Sequence, residues 1–146
     1  RIAFRSVAEI FKSSNQIVYP EMTALNEWEI GGVQHPHLDT YSNVDKEHGT
    51  IEDKPSREWT LILTLNDNYN GGETYFPDQD YVHKPTACEG VLFQGLYHMH
   101  GVNPVRRCSR HTISMWFTEN PDLILSDERT NNLELDKITI RNQITA

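Results

Sequence analysis

Long hydrophobic runs are missing from this chain. None approaches the ~18–20 residues of a membrane span, so no membrane partner is expected. No signal-peptide pattern opens the sequence, which starts at Arg1, and the cytoplasm is the expected compartment on that ground. Cysteine is scarce: Cys88 and Cys108 alone exclude a disulfide-dense mini-protein, and their number leaves bridged and reduced states both open. Basic residues are in the minority, thirteen Lys and Arg against twenty-one Asp and Glu, for a formal net charge of −8. A chain-wide basic footprint is absent, and no nucleic-acid partner is expected. What remains is globular material, 37% hydrophobic and 10% aromatic, too apolar for a disordered chain and without the glycine period of collagen. At 146 residues there is room for one domain. It is expected over 1–146, with a core at about 17–118 and a polar tail over 122–146. Seven histidines, several beside acidic residues, are the unusual feature.

The order of elements follows from periodicity. Apolar residues from Ile2 to Phe11 recur at threes and fours, which predicts an amphipathic helix ending near Ser13-Ser14-Asn15. Strands are expected at Gln16–Tyr19 and Thr23–Ile30, with Gly31-Gly32 turning the chain. Tyr41–Ser56 is polar and reads as a long surface loop. The clearest strand is Trp59–Leu65; Asn66–Gly72 then turns, and Glu73–Phe76 returns. Gly90–Gln94 and His111–Phe117 add two more, and Ile138-Thr139-Ile140 offers an edge strand in the tail. Many short strands after one helix predict a mainly β chain, a two-sheet sandwich or jelly roll with a helical buttress.

His37-Leu38-Asp39 places an imidazole and a carboxylate two residues apart, on one face of an extended segment. Both can converge on a metal. His83, His98 and His100 lie downstream as alternatives for a third ligand. Two histidines and one carboxylate on one face of an ion leave positions open opposite, the arrangement of non-haem Fe(II) oxygenases. H-x-D alone is common, and a surface histidine near a carboxylate explains it equally.

Further blocks add specificity: Pro36-His37-Leu38-Asp39 after Gly31-Gly32, Arg57-Glu58-Trp59-Thr60, Gly71-Gly72-Glu73-Thr74-Tyr75-Phe76-Pro77, His100-Gly101 with Pro104-Val105, and Arg110 ten residues after His100. In this order they resemble the catalytic domain of 2-oxoglutarate/Fe(II)-dependent dioxygenases, in particular the collagen-type prolyl hydroxylases. The resemblance runs from about Ile17 to Phe117 and implies a double-stranded β-helix (jelly roll) with an N-terminal supporting helix. It implies His37, Asp39 and His100 as iron ligands, with His98 a neighbour only. It implies Arg110, aided by Thr112, as the anchor of the 2-oxoglutarate carboxylate, since a guanidinium matches a carboxylate with two donors. Fe(II), 2-oxoglutarate and O₂ are then the expected cofactor and co-substrates, with ascorbate a compatible addition.

The implied reaction hydroxylates a prolyl residue in a peptide or protein and releases succinate and CO₂. Arg57 and Trp116 are expected at the pocket mouth, and segments 41–56 and 78–86 over the substrate. Arg57 and Trp59, two residues apart at a strand start, are expected to share a face. Departures from the pattern touch the substrate rather than the iron. Arg110 stands where many prolyl 4-hydroxylases have Lys, Trp28 and Thr64 stand at positions usually Tyr, and Met115-Trp116-Phe117-Thr118 before Asn120-Pro121 is similar to the close of prolyl 3-hydroxylase domains. A lysyl or free amino-acid hydroxylase, a non-catalytic jelly-roll binding module and a zinc hydrolase are the alternatives.

Overall fold

A computed structural model describes Val7, Ile10, Phe11 and residues 18–39 and 57–123. Ten strands follow one another: β1 Tyr19–Trp28, β2 Gln34–His37, β3 Trp59–Thr64, β4 Asn70–Gly71, β5 Thr74–Phe76, β6 Tyr81–His83, β7 Gly90–Phe93, β8 His100–Val102, β9 Val105–Arg107 and β10 Arg110–Thr118. They form two antiparallel four-stranded sheets, in the orders β1-β10-β3-β7 and β2-β8-β5-β6, with β4 and β9 pairing separately. This is the jelly-roll arrangement expected. Among the described residues, no helix is long and apolar enough to cross a membrane.

Strand alternation builds two different interiors. On β10, Ile113, Met115 and Phe117 point to one side, and on β3, Trp59 and Leu61 join them with Val7, Phe11 and Val18 in an apolar cluster. Phe11 meets Trp59 edge to face, with ring centroids 4.7 Å apart. Each fully buried side chain of this size contributes roughly 1.5–3 kcal/mol, so this cluster is a main stabiliser of the first sheet. The other face of the same strands is polar: Arg110, Thr112, Ser114 and Trp116 of β10 and Thr60 of β3 line a cavity between the sheets. Ile62, Phe76 and Phe93 form a smaller apolar cluster on that side, of which Ile62 lines the cavity.

Several expectations change. The N-terminal helix is not seen as an element; Val7, Ile10 and Phe11, the described positions there, have helical backbone, and Val7 and Phe11 are buried. The two strands expected at Gln16–Tyr19 and Thr23–Ile30 run as one over the described residues, β1, with a bulge between Pro20 and Met22; Gln16 and Ile17 lie outside the described residues. Proline lacks a ladder N–H, but β1 is an edge strand, where a bulge accommodates it. Segment 78–86, expected over the substrate, contains β6 and part of a 3₁₀ turn at Pro77–Gln79. Arg57 and Trp59 do not share a face: Trp59 is in the apolar cluster while Arg57 lines the cavity. The strand starts at Trp59, so its alternation does not govern Arg57. The loop over 41–56 and the tail from 124 lie outside the described residues. Cys88 and Cys108 are exposed and unbridged.

Candidate active site

His37 ends β2, Asp39 follows it, and His100 begins β8, directly paired with His37. Register therefore brings the three side chains together at the seam of two neighbouring strands. Their candidate ligand atoms all lie within 4.8 Å of one another. His37 Nε2 is 3.7 Å from Asp39 Oδ1, and His100 Nε2 is 3.8 Å from Asp39 Oδ2. These distances are too long for hydrogen bonds and short enough for a shared ion.

The surroundings fit a metal. Each histidine points Nδ1 at the carbonyl oxygen two residues earlier, His37 at His35 (3.0 Å) and His100 at His98 (3.1 Å). With Nδ1–H donating there, Nε2 carries the lone pair that faces the cluster. Burial holds His100 below the ordinary histidine pKa, against the opposing pull of Asp39, so the imidazole is in its neutral, ligating form. Phe93 packs edge-on to its ring, with centroids 4.6 Å apart. Thr60 Oγ1 donates to Asp39 Oδ2, and the Asp39 N–H donates to Gly95 O at 3.1 Å. A Cβ at Gly95 would lie against Thr60 Oγ1 and 2.8 Å from Asp39 Oδ2, so only glycine leaves the carboxylate where it is.

Across a cavity of about 340 Å³ from this cluster sits Arg110, which is 1% exposed. Its Nη2 donates to Thr74 Oγ1 at 3.0 Å, while Nε has no partner among the described residues. Burial lowers its pKa, and the Tyr69 phenol and the Glu73 carboxylate act the other way. The guanidinium stem rests on Gly72, which has φ +67° and whose added Cβ would lie 3.1 Å from Arg110 Cδ. Trp28 Nε1 donates to Thr112 Oγ1 at 3.3 Å, which leaves the Thr112 hydroxyl proton free to donate into the cavity. A buried cation with open donors suits an anionic ligand. At the other end, Arg57 stacks on Trp116, 4.4 Å from the ring centroid, and Glu21 holds its Nε at 2.9 Å.

The structure thus gathers His37, Asp39 and His100 at one point and puts Arg110, Thr112, Arg57 and Trp116 on the same cavity wall. It separates the other two histidines from that point. The His98 ring faces Gln79, and His83 sits on β6. Sequence reasoning did not single out Gly95 or Thr74, and gave Thr60 no task. Thr60 and Thr74 had a signal, their places in the Arg57–Thr60 and Gly71–Pro77 blocks; Gly95 acts only through contacts distant in sequence.

The family model of the 2OG-Fe(II) oxygenase superfamily matches residues 23–118, more than half of the chain. Prolyl 3-hydroxylase 1 of Rattus norvegicus is 28% identical over 128 residues, which cover 81% of this chain and 18% of that protein. The human prolyl 3-hydroxylase 1 is 35% identical over 71 residues, covering 44% of this chain and 10% of that protein. The chain therefore spans less than a fifth of the length of these relatives. Among solved structures, a 2OG-Fe(II) oxygenase family oxidoreductase from Burkholderia pseudomallei superposes with a TM-score of 0.60 at 17% identity, over 73% of this chain and 48% of that one. The viral collagen prolyl hydroxylase of Paramecium Bursaria Chlorella virus-1 does so with 0.58 at 18% identity, over 80% and 68%. Fold, a clustered His-Asp-His set and the family match agree: the chain belongs to the 2OG-Fe(II) oxygenase superfamily and, within it, resembles the prolyl hydroxylases.

Proposed function

We propose that this protein hydroxylates a prolyl residue of a peptide or protein, consuming 2-oxoglutarate and O₂ and releasing succinate and CO₂. His37, Asp39 and His100 hold Fe(II), and Arg110 with Thr112 receives the distal carboxylate of 2-oxoglutarate. Bound there, Fe(II) supplies the redox chemistry that couples decarboxylation of the keto acid to oxygen insertion into a C–H bond. The chain's own part is to fix the ligands through His35 O, His98 O and Thr60 and to aim the keto acid.

One observation carries the choice of substrate. Among the described residues on the cavity wall, Asp39 is the sole carboxylate, and it is committed to the metal. A lysyl ammonium entering this cavity would find cations at both ends, Arg57 and Arg110, and no free counter-ion. A neutral prolyl ring carries no such penalty and packs on Trp116. Arg57 keeps Nη1 for a peptide carbonyl while Glu21 and Met22 hold its other donors. Prolyl and lysyl peptides incubated with Fe(II) and 2-oxoglutarate should separate the readings. A +16 Da product on proline is expected, and one confined to lysine overturns the choice. Arg57→Ala and Trp116→Ala should each lower coupled hydroxylation on the order of tenfold while slow, uncoupled succinate formation persists.

Gly95 gives a second test. Gly95→Ala pushes a methyl into the Thr60–Asp39 pair and should weaken Fe(II) binding about 10–100-fold, the scale of losing an outer partner of a metal ligand. Thr60→Val, which deletes the hydroxyl but keeps the volume, should act in the same direction. Unchanged Fe(II) titrations for both would mean that Asp39 is oriented by something else.

A further inference from the structure

Polar side chains on neighbouring strands form a path that leads away from Arg110 on the cavity wall. Thr64, at the end of β3, lies opposite Thr112 of β10, two residues from Arg110 on the same strand face. Arg110 Nη2 reaches Thr74 Oγ1 of β5, and Thr74 lies opposite His83 of β6 across the ladder. The path thus crosses from one sheet to the other and ends on a histidine that the metal cluster does not use. Three buried polar atoms on it have no hydrogen-bond partner among the described residues: Thr64 Oγ1, Arg110 Nε and His83 Nε2. The other two such atoms are the indole nitrogens of Trp59 and Trp116, at the opposite ends of their strands. The large majority of buried side-chain polar atoms are paired, so three orphans along one path point to a ligand.

All three can donate, and among the described residues no carboxylate lies within ion-pair distance of Arg110. Arg110 Nε can only donate, so a ligand that meets it must accept. The Tyr81 hydroxyl lies 3.4 Å from His83 Nδ1; donating there, it leaves the ring proton on Nε2, the orphaned atom. Burial first, then the Arg110 cation, keeps His83 below the ordinary histidine range, against the pull of Glu89 ahead of β7. The ring is then neutral near pH 7, and it contributes an N–H rather than a second charge.

We infer that His83 is a binding residue for the distal carboxylate of the 2-oxo acid, its Nε2–H and the Thr64 hydroxyl joining Arg110 around one carboxylate group. This rests on the 2-oxoglutarate reading of the cavity. It makes the β6 edge strand part of the selection for a dicarboxylic keto acid. Calorimetric binding of 2-oxoglutarate and of 2-oxobutanoate, which lacks the distal carboxylate, to the Mn(II)-loaded protein tests it without turnover. His83→Leu should weaken 2-oxoglutarate about tenfold to a hundredfold, the scale of a hydrogen bond to a charged group, and leave 2-oxobutanoate unchanged. His83→Gln, whose amide N–H can serve in place of Nε2–H, should recover most of the loss. Unchanged 2-oxoglutarate affinity in His83→Leu, or equal weakening of both acids, overturns the role of His83 alone. If the unmutated protein binds both acids equally, the carboxylate site itself is wrong and the inference falls with it.

Discussion

Alanine at His37, Asp39 or His100 is expected to abolish Fe(II)-dependent 2-oxoglutarate turnover and iron retention together. The three donors are the only His/Cys/Asp/Glu group among the described residues arranged to share an ion, so none has a substitute. Losing an outer partner costs a metal site about 10–100-fold, and losing one of three ligands should exceed that range. His35→Ala and His98→Ala should be mild, because these residues serve the site through backbone carbonyls that alanine retains. Two measurements check this: iron bound after desalting, and succinate formed. A third separates ligand loss from misfolding. A metal that binds only the folded state raises its melting temperature, so Mn(II) should stabilise the unmutated protein and leave the three ligand variants where they were. Iron lost in His98→Ala but kept in His100→Ala would reassign the third ligand.

That assignment shows where sequence stops and structure begins. The pair His37 and Asp39 is legible as a candidate from its spacing of two, but β2 ends at His37, and the bonds of Asp39 to Gly95 O and Thr60 Oγ1 set its direction. His98 and His100 also share that spacing, and spacing alone cannot rank them; the resemblance implies His100, and the β2–β8 register places His100 against His37. β3 and β10 are legible from alternating apolar residues, because one of their faces packs against a true core. β5, equally short, is legible only as the return from the Asn66–Gly72 turn, and the strands β4, β6, β8 and β9, two or three residues long, are too short to show an alternation. They exist through distant bonds, such as Gly31 N–H and Gly72 N–H donating to Val105 O and Pro104 O. Those bonds pin the His100–Val105 corner onto both glycine pairs, which explains the Gly-Gly and Pro-Val blocks as one joint. Gly95 was invisible for the same reason, since it matters only for what distant segments bring to it.

Arg110→Ala should raise the 2-oxoglutarate requirement steeply while iron binding survives, because Arg110 lies across the cavity from the three ligands. Loss of a charge-assisted pair in a buried site costs roughly 2–5 kcal/mol, a thirtyfold to several-thousandfold loss of affinity. The upper part of that range is expected here: the residue is 1% exposed, so water screens the pair little. Arg110→Lys should fall between. It keeps the charge, but a single ammonium cannot both donate to Thr74 Oγ1 and present two parallel donors to a carboxylate. Alanine also removes the stem packed on Gly72, so some stability is lost with the charge, and lysine should restore much of that packing. The informative comparison is therefore selectivity rather than activity. The unmutated protein should prefer 2-oxoglutarate to 2-oxobutanoate strongly, lysine should keep part of that preference, and alanine should lose it. Preference retained in Arg110→Ala would move the anchor to another cation, and Arg57 is the other guanidinium on the cavity wall. Its ion pair with Glu21 and its place on Trp116 argue for the mouth instead, so the same variant tests both ends of the cavity at once.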